Sequence, residues 1–138
     1  MTEYVLDASI TLCWCFNDEA TPATWRLLGM LEEGSAVVPA IWTLEITNIL
    51  INAERRGRLT EAKVHEFIHL LQGLNIEIDQ ETPSRAFREI LLLSRAHNLS
   101  SYDAAYLELA RRLGIPLATK DQVLRKVARE LGMTVLPK

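Results

Sequence analysis

The sequence predicts an α/β protein, a three-layer α/β/α fold around a central, mostly parallel sheet. Three observations point to it. Short apolar runs alternate with longer helical patterns along the whole chain. Proline, glycine and hydroxyl residues punctuate these segments at positions where helices start and stop. The 138 residues contain no linker, low-complexity stretch or internal repeat, so residues 1–138 read as a single domain with a real core.

The elements follow in order. Glu3 to Leu6 is the first strand, ended by Asp7, and a short helix runs from Ser9 through Phe16. Thr21-Pro22 matches an N-cap followed by proline at the first helical position, opening a helix that ends near Gly34. Ala36 to Val38 is a second strand, stopped by Pro39. A long helix spans Ala40 to Arg56, with Gly57 as its C-cap. Thr60 caps a helix that ends near Gly73, and Asn75 to Ile78 is a short strand with alternating Ile76 and Ile78. Thr82-Pro83 starts a helix reaching His97. Ser100 or Ser101 caps the next helix, which ends at Gly114. Pro116 to Thr119 is a strand, Asp121 to Leu131 a helix and Met133 to Leu136 the last strand. Strands separated by helices imply right-handed crossovers and a parallel sheet covered on both faces. Ligands of such sheets bind at the carboxyl ends of the strands.

Four acids fall where that edge should lie. Asp7 ends the first strand and Asp121 follows a late one; Asp103 opens a helix, and Glu45 lies in the apolar helix Ala40–Arg56. Ile41, Leu44, Glu45, Asn48 and Asn52 share one side of that helix, whose remaining residues are so apolar that it should be buried. A buried ionised Glu45 needs either an arginine partner or a cation-filled cavity. Gathered carboxylates repel unless a cation joins them, and Mg²⁺ and Mn²⁺ prefer oxygen ligands. The expectation is a metal-dependent phosphoryl-transfer site held by Asp7, Glu45, Asp103 and Asp121. Ser9 and Thr119 are placed to support it with their hydroxyls and Asn48 with its amide.

Composition narrows the function classes. Eighteen acids against fifteen bases give a net charge of −3, unlike a protein that coats nucleic acid non-specifically. Local basic clusters remain: Arg55, Arg56 and Arg58; Arg111 and Arg112; and Lys120, Arg125, Lys126 and Arg129. Two cysteines, Cys13 and Cys15, flank Trp14 in neither a disulfide framework nor a C-x-x-C pair, so reduced core thiols are expected. A basic, apolar leader is lacking and no run is long enough to span a membrane, so a cytoplasmic protein without membrane contact is expected. Leu12, Cys13, Trp14, Phe16 and Trp25 crowd the first two helical segments and predict an apolar surface patch where a partner packs.

His65-Glu66-Phe67-Ile68-His69 matches the zinc motif H-E-x-x-H. Val64, Phe67, Ile68, Leu71 and Leu74 form the apolar face of that helix, which turns His65, Glu66 and His69 toward solvent, away from any cleft. A zinc hydrolase is therefore the weakest of the readings, behind a scaffold that binds RNA or protein without cutting.

Four motifs run through the chain: V-L-D-A-S at Val5 to Ser9, V-P-A-I-W-T-L-E-I-T-N-I-L from Val38 to Leu50, L-S-S-Y-D-A-A-Y-L-E-L-A from Leu99 to Ala110, and P-L-A-T-K-D from Pro116 to Asp121. In their order and spacing they resemble the PIN-domain ribonucleases, in particular the toxins of VapBC toxin–antitoxin pairs. The family's acidic positions correspond to Asp7, Glu45, Asp103 and Asp121, and its hydroxyl positions to Ser9 and Thr119. The resemblance implies a Mg²⁺- or Mn²⁺-dependent endoribonuclease, a homodimer, and an antitoxin whose tail occupies the site groove. Hydrolysis by water would leave a 5′-phosphate and a 3′-hydroxyl. Lys120, Arg55 and Arg56 are the candidates for gripping the RNA backbone.

Overall fold

The structure, a computed structural model, describes residues 1–138. Five strands build one sheet: β1 (Thr2–Leu6), β2 (Ser35–Val38), β3 (Ile76–Ile78), β4 (Leu117–Ala118) and β5 (Val135–Leu136). Their order is β3-β2-β1-β4-β5, and every neighbouring pair is parallel. Tyr4, Val5 and Leu6 of the central strand are fully buried, as expected where helices cover both faces of a parallel sheet. The chain steps outward from β1 through β2 to β3, then returns to the other side of β1 for β4 and β5. The reversal leaves a switch point between β1 and β4, registered by Leu6 opposite Ala118.

The helices are α1 (Ala8–Cys13), α2 (Pro22–Gly29), α3 (Trp42–Arg55), α4 (Glu61–Gln72), α5 (Thr82–Arg85), α6 (Leu91–His97), α7 (Ser101–Leu113) and α8 (Gln122–Glu130). Thr21 and Thr24 form a reciprocal capping box at α2, and Thr60, Ser100 and Asp121 each cap the helix that follows. Two predicted helices are shorter than expected. α1 stops at Cys13 and α2 at Gly29, each followed by a short 3₁₀ turn. The α5–α6 run is interrupted by a π turn at Ala86–Ile90. Gly114 closes α7 with a φ of 66°, a left-handed position that suits glycine.

Two expectations about burial are corrected. Helix α3 is not buried all round. Trp42, Ile46, Leu50 and Ala53 form one buried stripe, while Thr43, Thr47 and Asn48 are exposed and Leu44 is 72% exposed. A single stripe reaches the core, and the remaining aliphatic residues lie outside it. The apolar patch on the first two helical segments is likewise smaller than predicted. Trp14 is buried, with its indole N–H donating to the Thr24 carbonyl at 2.8 Å. Phe16 is buried beneath the Arg58 guanidinium, 3.8 Å from its ring centre. Leu12 is half-buried, and Trp25 remains 43% exposed. A more exposed apolar group lies on the α5–α6 run, where Phe87 is 90% and Leu92 60% exposed.

Candidate active site

The site grows from the switch point. Asp7 leaves β1 and caps α1, its Oδ1 accepting the Ile10 N–H at 3.2 Å. The same oxygen accepts the Ser9 hydroxyl at 2.6 Å, and Oδ2 accepts the Thr119 hydroxyl at 2.5 Å. Thr119 directly follows β4 and is fully buried, so this contact links the carboxyl ends of β1 and β4. Burial pushes the Asp7 carboxyl up to about 6, against the pull of the Ser9 and Thr119 hydroxyls. Ser9 and Thr119 also accept the backbone N–H groups of Lys120 (2.9 Å) and Asp121 (3.0 Å). The turn after β4 is thereby tied to Asp7.

Three further acids surround this point. Glu45 sits in the first turn of α3, half-buried, and accepts the Tyr106 hydroxyl at 2.5 Å. Burial raises its carboxyl, the Tyr106 bond opposes the rise and the Asp103 charge adds to it. Asp103 opens α7 above the Ser100 cap. Burial and then the Asp121 charge raise it, partly offset by Ser100. Tyr106, one turn along α7, is buried among the acids. Burial, the Glu45 bond and the charges of Glu45, Asp7 and Asp103 hold its phenol far above the ordinary range. Sequence reading missed Tyr106, although its place three residues after Asp103 on one helix face was a usable signal. Asp121 is exposed and spends Oδ1 on the α8 cap, accepting the Leu124 N–H at 2.8 Å.

None of these four carboxylates is in an ion pair; every salt bridge of the chain involves other acids. The contrast with Glu108 is instructive. Glu108 is 5% exposed and is met by Arg112 Nε at 2.9 Å and by Arg85 at 3.9 Å. Where the fold buries a carboxylate for structural reasons, it supplies an arginine. Around Asp7 it supplies hydroxyls, the Ile10 backbone N–H and other acids but no arginine, and Glu45 is met by the Tyr106 hydroxyl in place of the arginine partner considered for it.

The donor set is all oxygen, the chemistry that suits Mg²⁺ or Mn²⁺. No three acidic, histidine or cysteine side chains converge tightly enough to ligate one ion directly. The arrangement therefore fits an ion held by one or two carboxylates and keeping several of its waters, the usual habit of Mg²⁺.

The remaining predicted residues divide. Lys120 adjoins the acids through Ser9. Asn48 lies one turn beyond Glu45 but is exposed and makes no side-chain hydrogen bond within the chain. Arg55 and Arg56 stand at the far end of α3, about 15 Å along the axis from Glu45, so a 1.5 Å rise per residue removes them from the site. Arg112 is committed to Asp79, Glu81 and Glu108, and Arg125 to backbone carbonyls, so these members of the predicted basic clusters have internal partners. His65, Glu66 and His69 are exposed on α4, outside any group able to hold a metal.

The profile of the PIN domain matches residues 4–130. The chain belongs to the PIN domain family. Ribonuclease VapC3 of Pyrobaculum aerophilum is 26% identical over 133 residues, covering 96% of this chain and 98% of that protein. The crystal structure of PAE2754 from the same organism superposes on this PIN domain with a TM-score of 0.70 at 22% identity, covering 98% of this chain and 91% of that one. VapBC2 from Rickettsia felis, bound to a DNA fragment from its promoter, gives a TM-score of 0.69 at 12% identity, with 97% of each chain covered. At these identities the structural likeness concerns the fold. No helix of this PIN domain is long and apolar enough to cross a membrane.

Proposed function

We propose that this PIN domain is a Mg²⁺- or Mn²⁺-dependent endoribonuclease, acting in the cytoplasm as the toxin of a toxin–antitoxin pair. The observation that carries the reading is four carboxylates, Asp7, Glu45, Asp103 and Asp121, gathered about the switch point, none of them in an ion pair. The relative named a ribonuclease supports the activity, and the neighbour named as a VapBC assembly supports a protein partner.

In this reading Asp7, Glu45 and Asp103 would hold the ion, directly or through its waters, and Asp121 would orient further waters or hold a second ion. A bound Mg²⁺ or Mn²⁺ supplies neutralisation of phosphate charge and lowers the pKa of a water. The chain's own groups supply position. Ser9 and Thr119 fix both oxygens of Asp7, and Tyr106 fixes Glu45, so the carboxylates do not reorganise as charge develops on the phosphate. Attack by water in line with the 3′-oxygen would break the P–O3′ bond, and that oxygen would take up a proton, so the products would carry a 5′-phosphate and a 3′-hydroxyl. A homodimer belongs to the same reading, and exposed Phe87 and Leu92 offer it an apolar surface.

The test is cleavage of RNA by the purified protein with Mn²⁺ or Mg²⁺ and with EDTA, with analysis of the product ends. Chelation should abolish cutting. Asp7→Asn, Glu45→Gln and Asp103→Asn should each slow it on the order of 100-fold or more while the fold persists. Cutting that survives EDTA, or that leaves 2′,3′-cyclic ends, would overturn the mechanism. Binding of RNA without cleavage under every metal would favour the non-catalytic scaffold.

A further inference from the structure

A basic cleft adjoins the acids on the α8 side. It is an open groove of about 510 Å³ between the start of α2, the face of α8 and residues 137–138. Lys120, Gln122, Arg125, Arg129, Thr21 and Thr24 line it, and no acidic residue does. Lys120, Arg125 and Arg129 take part in none of the chain's ion pairs. Arg125 is buried and fixed, donating to the carbonyls of Thr119 (2.7 Å), Leu136 (3.2 Å) and Pro137 (2.5 Å). Carbonyls do not cancel its charge. Burial and then the nearby Arg129 guanidinium lower its affinity for a proton, as expected for cations crowded without a counter-ion. In a chain of net charge −3, a concavity lined by four basic residues outside any ion pair, Lys120, Arg125, Arg129 and Lys138, and by no acidic side chain calls for an anion.

The position of the cleft says which anion. The Lys120 N–H donates to Ser9 Oγ, and Ser9 donates to Asp7, so the cleft begins two hydrogen bonds from the central carboxylate. A phosphodiester chain cut at Asp7 must continue past the scissile group, and its next phosphate needs positive charge beside the acids that would otherwise repel it. We propose that this cleft binds a phosphate of single-stranded RNA flanking the cleavage point, with Lys120 and Arg129 contacting it and Arg125 acting as a fixed positive charge behind them. This assignment rests on the ribonuclease reading for its substrate.

The measurement is fluorescence anisotropy of a labelled single-stranded RNA with the 138-residue chain in EDTA across a salt series, paired with kcat and KM in Mn²⁺. Lys120→Ala and Arg129→Ala should each raise Kd and KM on the order of tenfold and flatten the log–log salt slope by about 0.7. kcat should stay within about twofold, Arg129→Lys should restore most of the affinity, and Arg56→Ala, remote on α3, should change nothing. Arg125→Ala is avoided because it removes three structural hydrogen bonds. If the wild type cuts RNA but KM and the salt slope are unchanged in both alanine variants, the cleft assignment is wrong and the ribonuclease reading stands. If the wild type cuts no RNA under any metal, the ribonuclease reading falls, and the salt slope in EDTA still judges the cleft. Tighter binding of polyglutamate than of RNA, lost in the same variants, would assign the cleft to an acidic protein and overturn the proposal.

Discussion

Asp7 shows how one residue can be costly to the fold and useful to the site. Its burial favours the protonated carboxyl, and the hydrogen bonds from Ser9, Thr119 and Ile10 only partly compensate. The consequence for stability has a definite sign. The group binds its proton more tightly folded than unfolded. Its contribution is therefore fully present below about pH 4 and is lost as pH rises through about 6. In EDTA, wild type should lose stability relative to Asp7→Asn between pH 4 and 7, by up to about 3 kcal/mol. Urea midpoints of the two proteins across that range would check it, and a constant difference would contradict the buried-carboxylate account. Asp79 behaves in the opposite way. Burial alone would raise it, but Arg112 and the neighbouring donors pull it below the ordinary range, so its contribution is lost as pH falls.

At the scale of elements, α7 connects two kinds of acid. Its first turns carry Asp103 and Tyr106 into the site, and its later turns carry Glu108 and Arg112 into an ion network with Asp79 and Glu81. Asp79 lies just beyond β3 and Glu81 immediately precedes α5, so Arg112 joins α7 to the edge of the sheet. Removing it would leave buried Glu108 and half-buried Asp79 without their main cation. Arg112→Met is therefore expected to cost about 3–5 kcal/mol, a fall in Tm on the order of 10 °C at neutral pH. Differential scanning calorimetry would measure it. A change of only a degree or two would mean that Arg85 alone satisfies Glu108.

For the whole molecule, the prediction concerns mass action. Four carboxylates at one edge leave a repulsion that a divalent cation relieves, so Mn²⁺ should stabilise the folded state. At about one hundred times its Kd the gain should be about 2.7 kcal/mol. Asp7→Asn or Asp103→Asn should remove most of it. Melting curves against metal concentration would show this without any activity assay, and equal responses in all three proteins would argue against a metal site at these residues.

The sequence by itself determined what depends on near neighbours. Alternating strands and helices, the caps at Thr21, Thr60 and Ser100, and the glycine stop at Gly114 are set by contacts within a few residues. The place of Asp7 and Asp121 was legible for a related reason: parallel strands bring their carboxyl ends to one edge whatever the packing details. Only the tertiary structure decided which charges meet. Glu45 and Glu108 look alike as single glutamates in apolar helices, yet one faces Tyr106 and other acids while the other is held by Arg112. Packing also buried Trp14 and Phe16, left Leu44 in solvent, carried Arg55 and Arg56 away from the acids and turned Lys120 and Arg129 into one cleft. Burial and ion pairing are properties of residues far apart in sequence. Thr119 meets Asp7 and Tyr106 meets Glu45 only after the sheet and its helices have closed, and no local pattern encodes those distances.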